Sequence, residues 1–233
     1  MAESMNVSTP DGDFRCYVAR PSGEGPAPAV VVIQEIFGVN RFVRAVADRL
    51  ASQGYLAVAP DLFWRIEPGI DITDQTEAEW KRAFELYTAF DVEKGVEDIA
   101  ATIEAAREDK GCNGKVGAIG FCLGGLLAYL TATRTEADAT VSYYGVGVDN
   151  FLGEAERLHR PLMLHIAGAD QFVPKASQDR IVAALRNHPC VTIHQYPGRD
   201  HAFARDGGQH YDAADAETAN ARTAKFFTDN LRG

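Results

Sequence analysis

Cys122 stands in the segment Gly120-Phe121-Cys122-Leu123-Gly124-Gly125, between the apolar run Val116-Gly117-Ala118-Ile119 and the helix-forming stretch Leu126-Leu127-Ala128-Tyr129-Leu130. A glycine two positions to either side of a nucleophile permits a turn so tight that side chains there would strike neighbouring backbone, and it leaves the residue at the tip exposed. Cysteine occupies the place where serine is usual. At the start of a helix the partial positive charge of the dipole favours thiolate, the reactive form of a thiol. Gly-rich strand-to-helix turns also bind phosphate, and cysteine is often just a small buried residue. Glycines at 117, 120, 124 and 125 spell neither a dinucleotide fingerprint nor a Walker loop. Further along, Leu162 to Ile166 is followed by Ala167-Gly168-Ala169-Asp170, and Val191 to His194 by a loop that carries His201. An acid or histidine after a strand is ordinary by itself. Together they offer a nucleophile, an imidazole that can take up or hold its proton near neutral pH, and a carboxylate that fixes the imidazole tautomer and favours imidazolium. Acid–base help of this kind is worth about 10²–10⁴-fold. Asp200 is a weaker orienting acid, because its neighbour in an extended segment points the other way.

These residues need a scaffold that brings strand ends together. Ala29-Val30-Val31-Val32-Ile33 is a β-branched run of the kind buried on both sheet faces, and short runs recur at 55–59, 116–119, 141–144, 162–166 and 191–194. Helical stretches are expected at 41–53, 77–87, 92–108, 123–133, 175–187 and 213–231. Asn6 to Ser8 and Phe14 to Val18, around Pro10-Asp11-Gly12-Asp13, read as a β-hairpin. Strands alternating with helices predict right-handed crossovers and a mostly parallel sheet with helices on both faces, whose ligands sit at the carboxyl ends of strands. The chain order Cys122, Asp170, His201 is the nucleophile, acid, base order of the α/β-hydrolase fold.

The chain has 233 residues, 46% of them apolar, and neither an internal repeat nor a linker marks a boundary, so one domain over 1–233 is expected. That length buries about 70–75% of the surface of the unfolded chain without the help of disulfides or metals. Cys16, Cys112, Cys122 and Cys190 show no metal-ligand spacing, and neither a metal nor a cofactor is expected. A net charge of −10 argues against nucleic acid and anionic membrane as partners. The N-terminus lacks the pattern of a secretory signal, and the longest uninterrupted apolar stretch, Val116 to Leu130, falls short of the roughly 18 residues of a span. A cytoplasmic monomer acting on a small molecule fits these features.

Almost the whole chain resembles the dienelactone hydrolase (carboxymethylenebutenolidase) family. The resemblance is carried by Gln34-Glu35-Ile36-Phe37-Gly38-Val39-Asn40, Ala59-Pro60-Asp61-Leu62, the cysteine elbow, Tyr143-Tyr144-Gly145-Val146-Gly147 and His201-Ala202-Phe203-Ala204-Arg205. It implies a single-domain α/β-hydrolase fold and cofactor-free opening of an enol-lactone by Cys122, His201 and Asp170. It further implies that Glu35 contacts the nucleophile at rest and takes part in forming thiolate, and that the Ile36 and Leu123 amides make the oxyanion hole. Arg205 matches an arginine that binds the lactone carboxylate; read from the residues alone, it is more often a surface ion-pair partner.

Two positions depart from the family pattern. Trp80 occupies the place of a second carboxylate-binding arginine, with Lys81 and Arg82 turned about 100° and 200° away on the helix, and Ala202 stands where serine is usual. Trp80, Phe84 and Tyr87 share one helix face, as core or as a pocket wall, and Phe37, Tyr144 and Phe203 are further pocket candidates. Alternatives are a broad carboxylesterase acting on neutral esters and, from another class, a non-hydrolytic thiol sensor or ligand-binding module.

Overall fold

A computed structural model describes residues 3–23 and 25–232. Met1 and Ala2 of the N-terminus, Glu24 of a Gly/Pro-rich loop and the final Gly233 lie outside the described residues. The chain divides into two compact units, Met1–Ala118 and Ile119–Gly233. Among the described residues eight strands form a mostly parallel sheet, interleaved with helices.

In the first unit the strand order is β1 (Glu3–Thr9), β2 (Gly12–Ala19), β4 (Leu56–Pro60), β3 (Ala27–Ile33) and β5 (Cys112–Phe121). β1 and β2 form the opening hairpin, with Thr9 paired to Gly12 across the turn. Along β2, Phe14, Cys16 and Val18 are buried while Asp13 and Arg15 are exposed, a period of two that marks one covered face. β3 and β4 run parallel, and β4 is buried at every position, as a sheet covered on both faces requires. Helix α1 (Arg41–Ser52) is started by Asn40, whose Oδ1 accepts from the Val43 amide at 3.2 Å. Helix α2 (Glu77–Ala89) opens on the reciprocal pair Thr76 and Glu79, and α3 (Val92–Glu108) on Asp91.

The second unit takes in the last residues of β5 and continues through α4 (Leu123–Arg134), β6 (Ala139–Tyr143), a run of 3₁₀ turns (Val148–Arg157), β7 (Leu162–Ala167), α5 (Lys175–Leu185), β8 (Val191–Tyr196) and α6 (Ala213–Leu231). β6, β7 and β8 are parallel, with Tyr143 opposite His165 and His165 opposite His194. α4 is buried at every residue from Leu123 to Thr133, which is why its sequence is apolar all round. The long apolar stretch from Val116 to Leu130 is thus divided between a strand and a helix. No described helix is long and apolar enough to cross a membrane. Residue 144, read from the sequence as strand, has already left β6: Tyr144 turns to φ 37° to begin the loop at Gly145.

Candidate active site

β5 stops at Phe121 and α4 starts at Leu123, so Cys122 alone makes the turn, at φ 58° and ψ −116°. A non-glycine residue in that region is strained by roughly 1–3 kcal/mol and stays there only where the surroundings over-determine it. Here they do. The Cys122 amide donates to the Tyr143 carbonyl at 3.1 Å, and the Cys122 carbonyl accepts from the amides of Gly125 at 2.9 Å and of Leu126 and Val146 at 3.3 Å. A Cβ on Gly120 would lie 1.8 Å from the Gly124 carbonyl oxygen, and one on Gly125 would lie 2.4 Å from the Tyr143 oxygen. The close approach of Gly125 to Gly145, braced by Ser142 Oγ donating to the Gly125 carbonyl at 2.7 Å, was not read from the sequence, although Gly124-Gly125 and Tyr144-Gly145 carry its signal. The Leu123 amide is among the first of α4, where no intrahelical acceptor exists.

Asp170 and His201 meet side to side. His201 Nδ1 lies 2.8 Å from Asp170 Oδ2, and Asp170 Oδ1 accepts from the amides of Phe172 at 2.8 Å and Val173 at 3.1 Å. Both residues are buried, at 4% and 5% exposed. Burial would push the imidazole toward its neutral form, but the charge and hydrogen bonding of Cys122 and of Asp170 oppose it and raise the His201 pKa to about 10. Nε2, the ring nitrogen not facing Asp170, is buried. Asp200 instead accepts from the His201 backbone amide at 2.7 Å.

Around His201 stand two aromatic rings, Tyr144 at 5.0 Å and Phe172 at 4.9 Å between centroids, each edge to face. Phe172, 36% exposed, escaped the sequence reading; its signal was an aromatic residue two positions past a strand-end acid. Phe203 has no exposed surface and lies against Tyr144 and, at 4.6 Å, Tyr196. Arg205 is 6% exposed, a buried cation in an acidic chain.

The remaining sequence candidates belong to the first unit. Glu35 is 1% exposed just past β3, in a loop held by Gln34 Oε1 accepting from the Leu62 amide at 3.0 Å. Gly38 permits that loop's turn, at φ +77°, where a Cβ would lie 2.0 Å from the Ile70 oxygen. Ile36 and Phe37 are buried, and Phe37 meets Trp80 edge to face at 5.2 Å. Trp80, half-buried, stacks on Phe84 at 5.6 Å and donates Nε1–H to the Asp74 carbonyl at 2.9 Å. Phe84 and Tyr87 are exposed, so this aromatic face is not core. Arg82 is committed to Glu67 and, at 3.1 Å, Glu85, and Lys81 is exposed. Among the described residues no three His, Cys, Asp or Glu side chains gather as a metal ion requires.

The family model for the dienelactone hydrolase family matches residues 14–231. The chain belongs to the dienelactone hydrolase family. It is 50% identical over 222 residues to a candidate carboxymethylenebutenolidase of Azospirillum brasilense, covering 95% of each chain. It is 40% identical over 227 residues to the carboxymethylenebutenolidase of Pseudomonas putida, covering 97% of this chain and 96% of that one. Among solved structures, a candidate dienelactone hydrolase from Klebsiella pneumoniae superposes with a TM-score of 0.85 at 27% identity, covering 98% of each chain. Membership makes the protein a carboxylic ester hydrolase with the α/β-hydrolase fold.

Proposed function

We propose that the protein opens a small enol-lactone, of the dienelactone to maleylacetate type, through Cys122, His201 and Asp170. The observation that carries the proposal is the His201–Asp170 contact together with a cysteine held at positive φ in the turn between β5 and α4. The Cys122 thiolate adds to the lactone carbonyl, and the amides of Ile36 and Leu123 hold the oxyanion. The carbonyl re-forms as the ring C–O bond breaks, and the leaving enol oxygen takes its proton from His201. A thioester remains. Neutral His201 then takes a proton from water as the water adds to the thioester, the C–S bond breaks, and thiolate and imidazolium are restored. Glu35 assists thiolate formation when substrate arrives. Each oxyanion donor is worth about 2.7–4 kcal/mol in the transition state. Turnover of dienelactone should vanish in Cys122→Ala and in His201→Ala; unchanged activity in either variant would reject the assignment.

A second reading, a carboxylesterase for neutral esters, is favoured by the Trp80 face and by the commitment of Arg82 to Glu67 and Glu85. Arg205 separates the two readings. If it binds a substrate carboxylate, Arg205→Ala lowers kcat/KM for an anionic lactone far more than for a neutral analogue, whereas equal effects would favour the esterase.

A further inference from the structure

Behind the strand ends of the second unit lies a chain of hydrogen bonds that the chemistry above does not use. It joins Arg222 Nη1 to Tyr196 Oη at 3.2 Å, Tyr196 Oη to His165 Nδ1 at 2.7 Å, and His165 Nε2 to Thr223 Oγ1 at 3.0 Å. It continues from Thr223 Oγ1 to Tyr143 Oη at 2.7 Å and from Tyr143 Oη to Asn220 Oδ1 at 3.3 Å. With the Asn220 amide turned to present Oδ1 to Tyr143, the protons of the chain run in one direction. Asn220 Oδ1 only accepts, so Tyr143 spends its single proton there and accepts from Thr223. Thr223 has then spent its own proton and must accept from His165 Nε2–H. Nδ1 is left as an acceptor for the Tyr196 hydroxyl. The other end agrees, because Arg222 only donates and so leaves the Tyr196 proton for His165. Tyr143, His165, Tyr196 and Thr223 are all buried, and burial, His194 and Arg222 hold His165 neutral, the state this pattern needs.

His165 also touches the framework of the catalytic histidine in two ways. Its carbonyl accepts at 2.8 Å from the amide of Tyr144, the positive-φ residue whose ring meets His201. Its ring fixes Tyr196, which stacks on Phe203, and Phe203 braces Tyr144. The Tyr196 carbonyl accepts from the Gly168 amide at 2.9 Å, tying the end of β8 to the loop that carries Asp170. We infer that His165, fixed as its Nε2–H tautomer by this one-way chain, is a positioning residue that sets the orientation of the His201–Asp170 pair. The inference rests on the proposed roles of Cys122, His201 and Asp170.

Thr223→Val keeps the shape and removes the hydroxyl, and Thr223→Ser restores it. With an aryl ester, Thr223→Val should lower kcat by about tenfold, within the range that changes along a packed network produce, with KM changed less than about twofold. Thr223→Ser should recover kcat to within about threefold of the parent. Long-range proton–nitrogen NMR at neutral pH should show His165 protonated at Nε2 alone. A protonated Nδ1, or folded Thr223→Val with the parent kcat, would overturn the inference. Should Thr223→Val melt below the assay temperature, Tyr196→Phe, which keeps the ring on Phe203 and removes the hydroxyl, makes the same kinetic comparison. A parent protein that turns over neither lactone nor ester would instead sink the proposed function, while the NMR result would still judge the tautomer.

Discussion

The strand ends of the second unit and helix α2 of the first both present side chains suited to a site, and they are built in opposite ways. At Cys122, Asp170 and His201 the backbone turns and the Asp170 carboxylate are fixed by named partners, and a side chain at Gly120 or Gly125 would strike backbone. On α2, Phe84 and Tyr87 lie exposed, and the charge of Arg82 is spent on solvated ion pairs with Glu67 and Glu85 that contribute little. The contrast teaches that a turn fixed by many partners tolerates little change, whereas an exposed aromatic face can be altered without endangering the fold.

Four experiments would break or sharpen this contrast. The largest effect is expected for Asp170→Asn, which keeps the shape but removes the charge facing Nδ1: kcat should fall by about 10³-fold, and a loss under tenfold would show that Asp170 does not orient His201. Gly120→Ala comes next. Its new Cβ meets backbone at 1.8 Å, so denaturant melts should show about 3 kcal/mol of lost stability, and a neutral result would mean the elbow is looser than described.

Third is pH. Because the His201 pKa is raised to about 10 in the folded protein, its contribution to stability is fully present below the unfolded value of about 6.5 and is lost as pH rises through about 10. Cys122→Ser removes the sulfur whose electrostatic and hydrogen-bonding influence helps to raise the His201 pKa. Between pH 7 and pH 10 the parent should therefore lose about 3 °C more in Tm than this variant, and parallel curves would contradict the pairing. The smallest effects belong to α2. Trp80→Ala should lower kcat/KM for an apolar ester by about tenfold, as loss of an apolar pocket contact does, while Arg82→Ala should leave the melting curve indistinguishable from the parent's. Equal kinetics for Trp80→Ala and the parent would remove α2 from substrate selection.

Much of the architecture was legible because buried parallel strands write themselves as β-branched runs: Ala29 to Ile33 falls inside β3, and the α3 and α6 boundaries read from the sequence coincide with those observed. Turns with their own chemistry were legible too, since Gly120 and Gly124 flank Cys122 at the spacing the elbow demands. Tyr144 was legible as a pocket candidate but not as a turn, because its φ of 37° accompanies a close approach of Gly125 to Gly145, which are far apart in sequence. Phe172 was hidden for a similar reason, as only the fold brings its ring to His201. The His165 chain was the least legible: a histidine inside a buried strand reads as core until Tyr196 and Thr223 arrive from β8 and α6.

The central claim is that Cys122 carries the acyl group. The most direct measurement is rapid quench of the protein with an activated ester, followed by mass analysis of the peptide containing Cys122. A burst of alcohol release approaching one per chain is expected, matched by an acyl adduct on Cys122 that is absent in Cys122→Ala. Steady turnover with no adduct on Cys122 at any quench time, and with activity retained in Cys122→Ala, would contradict it.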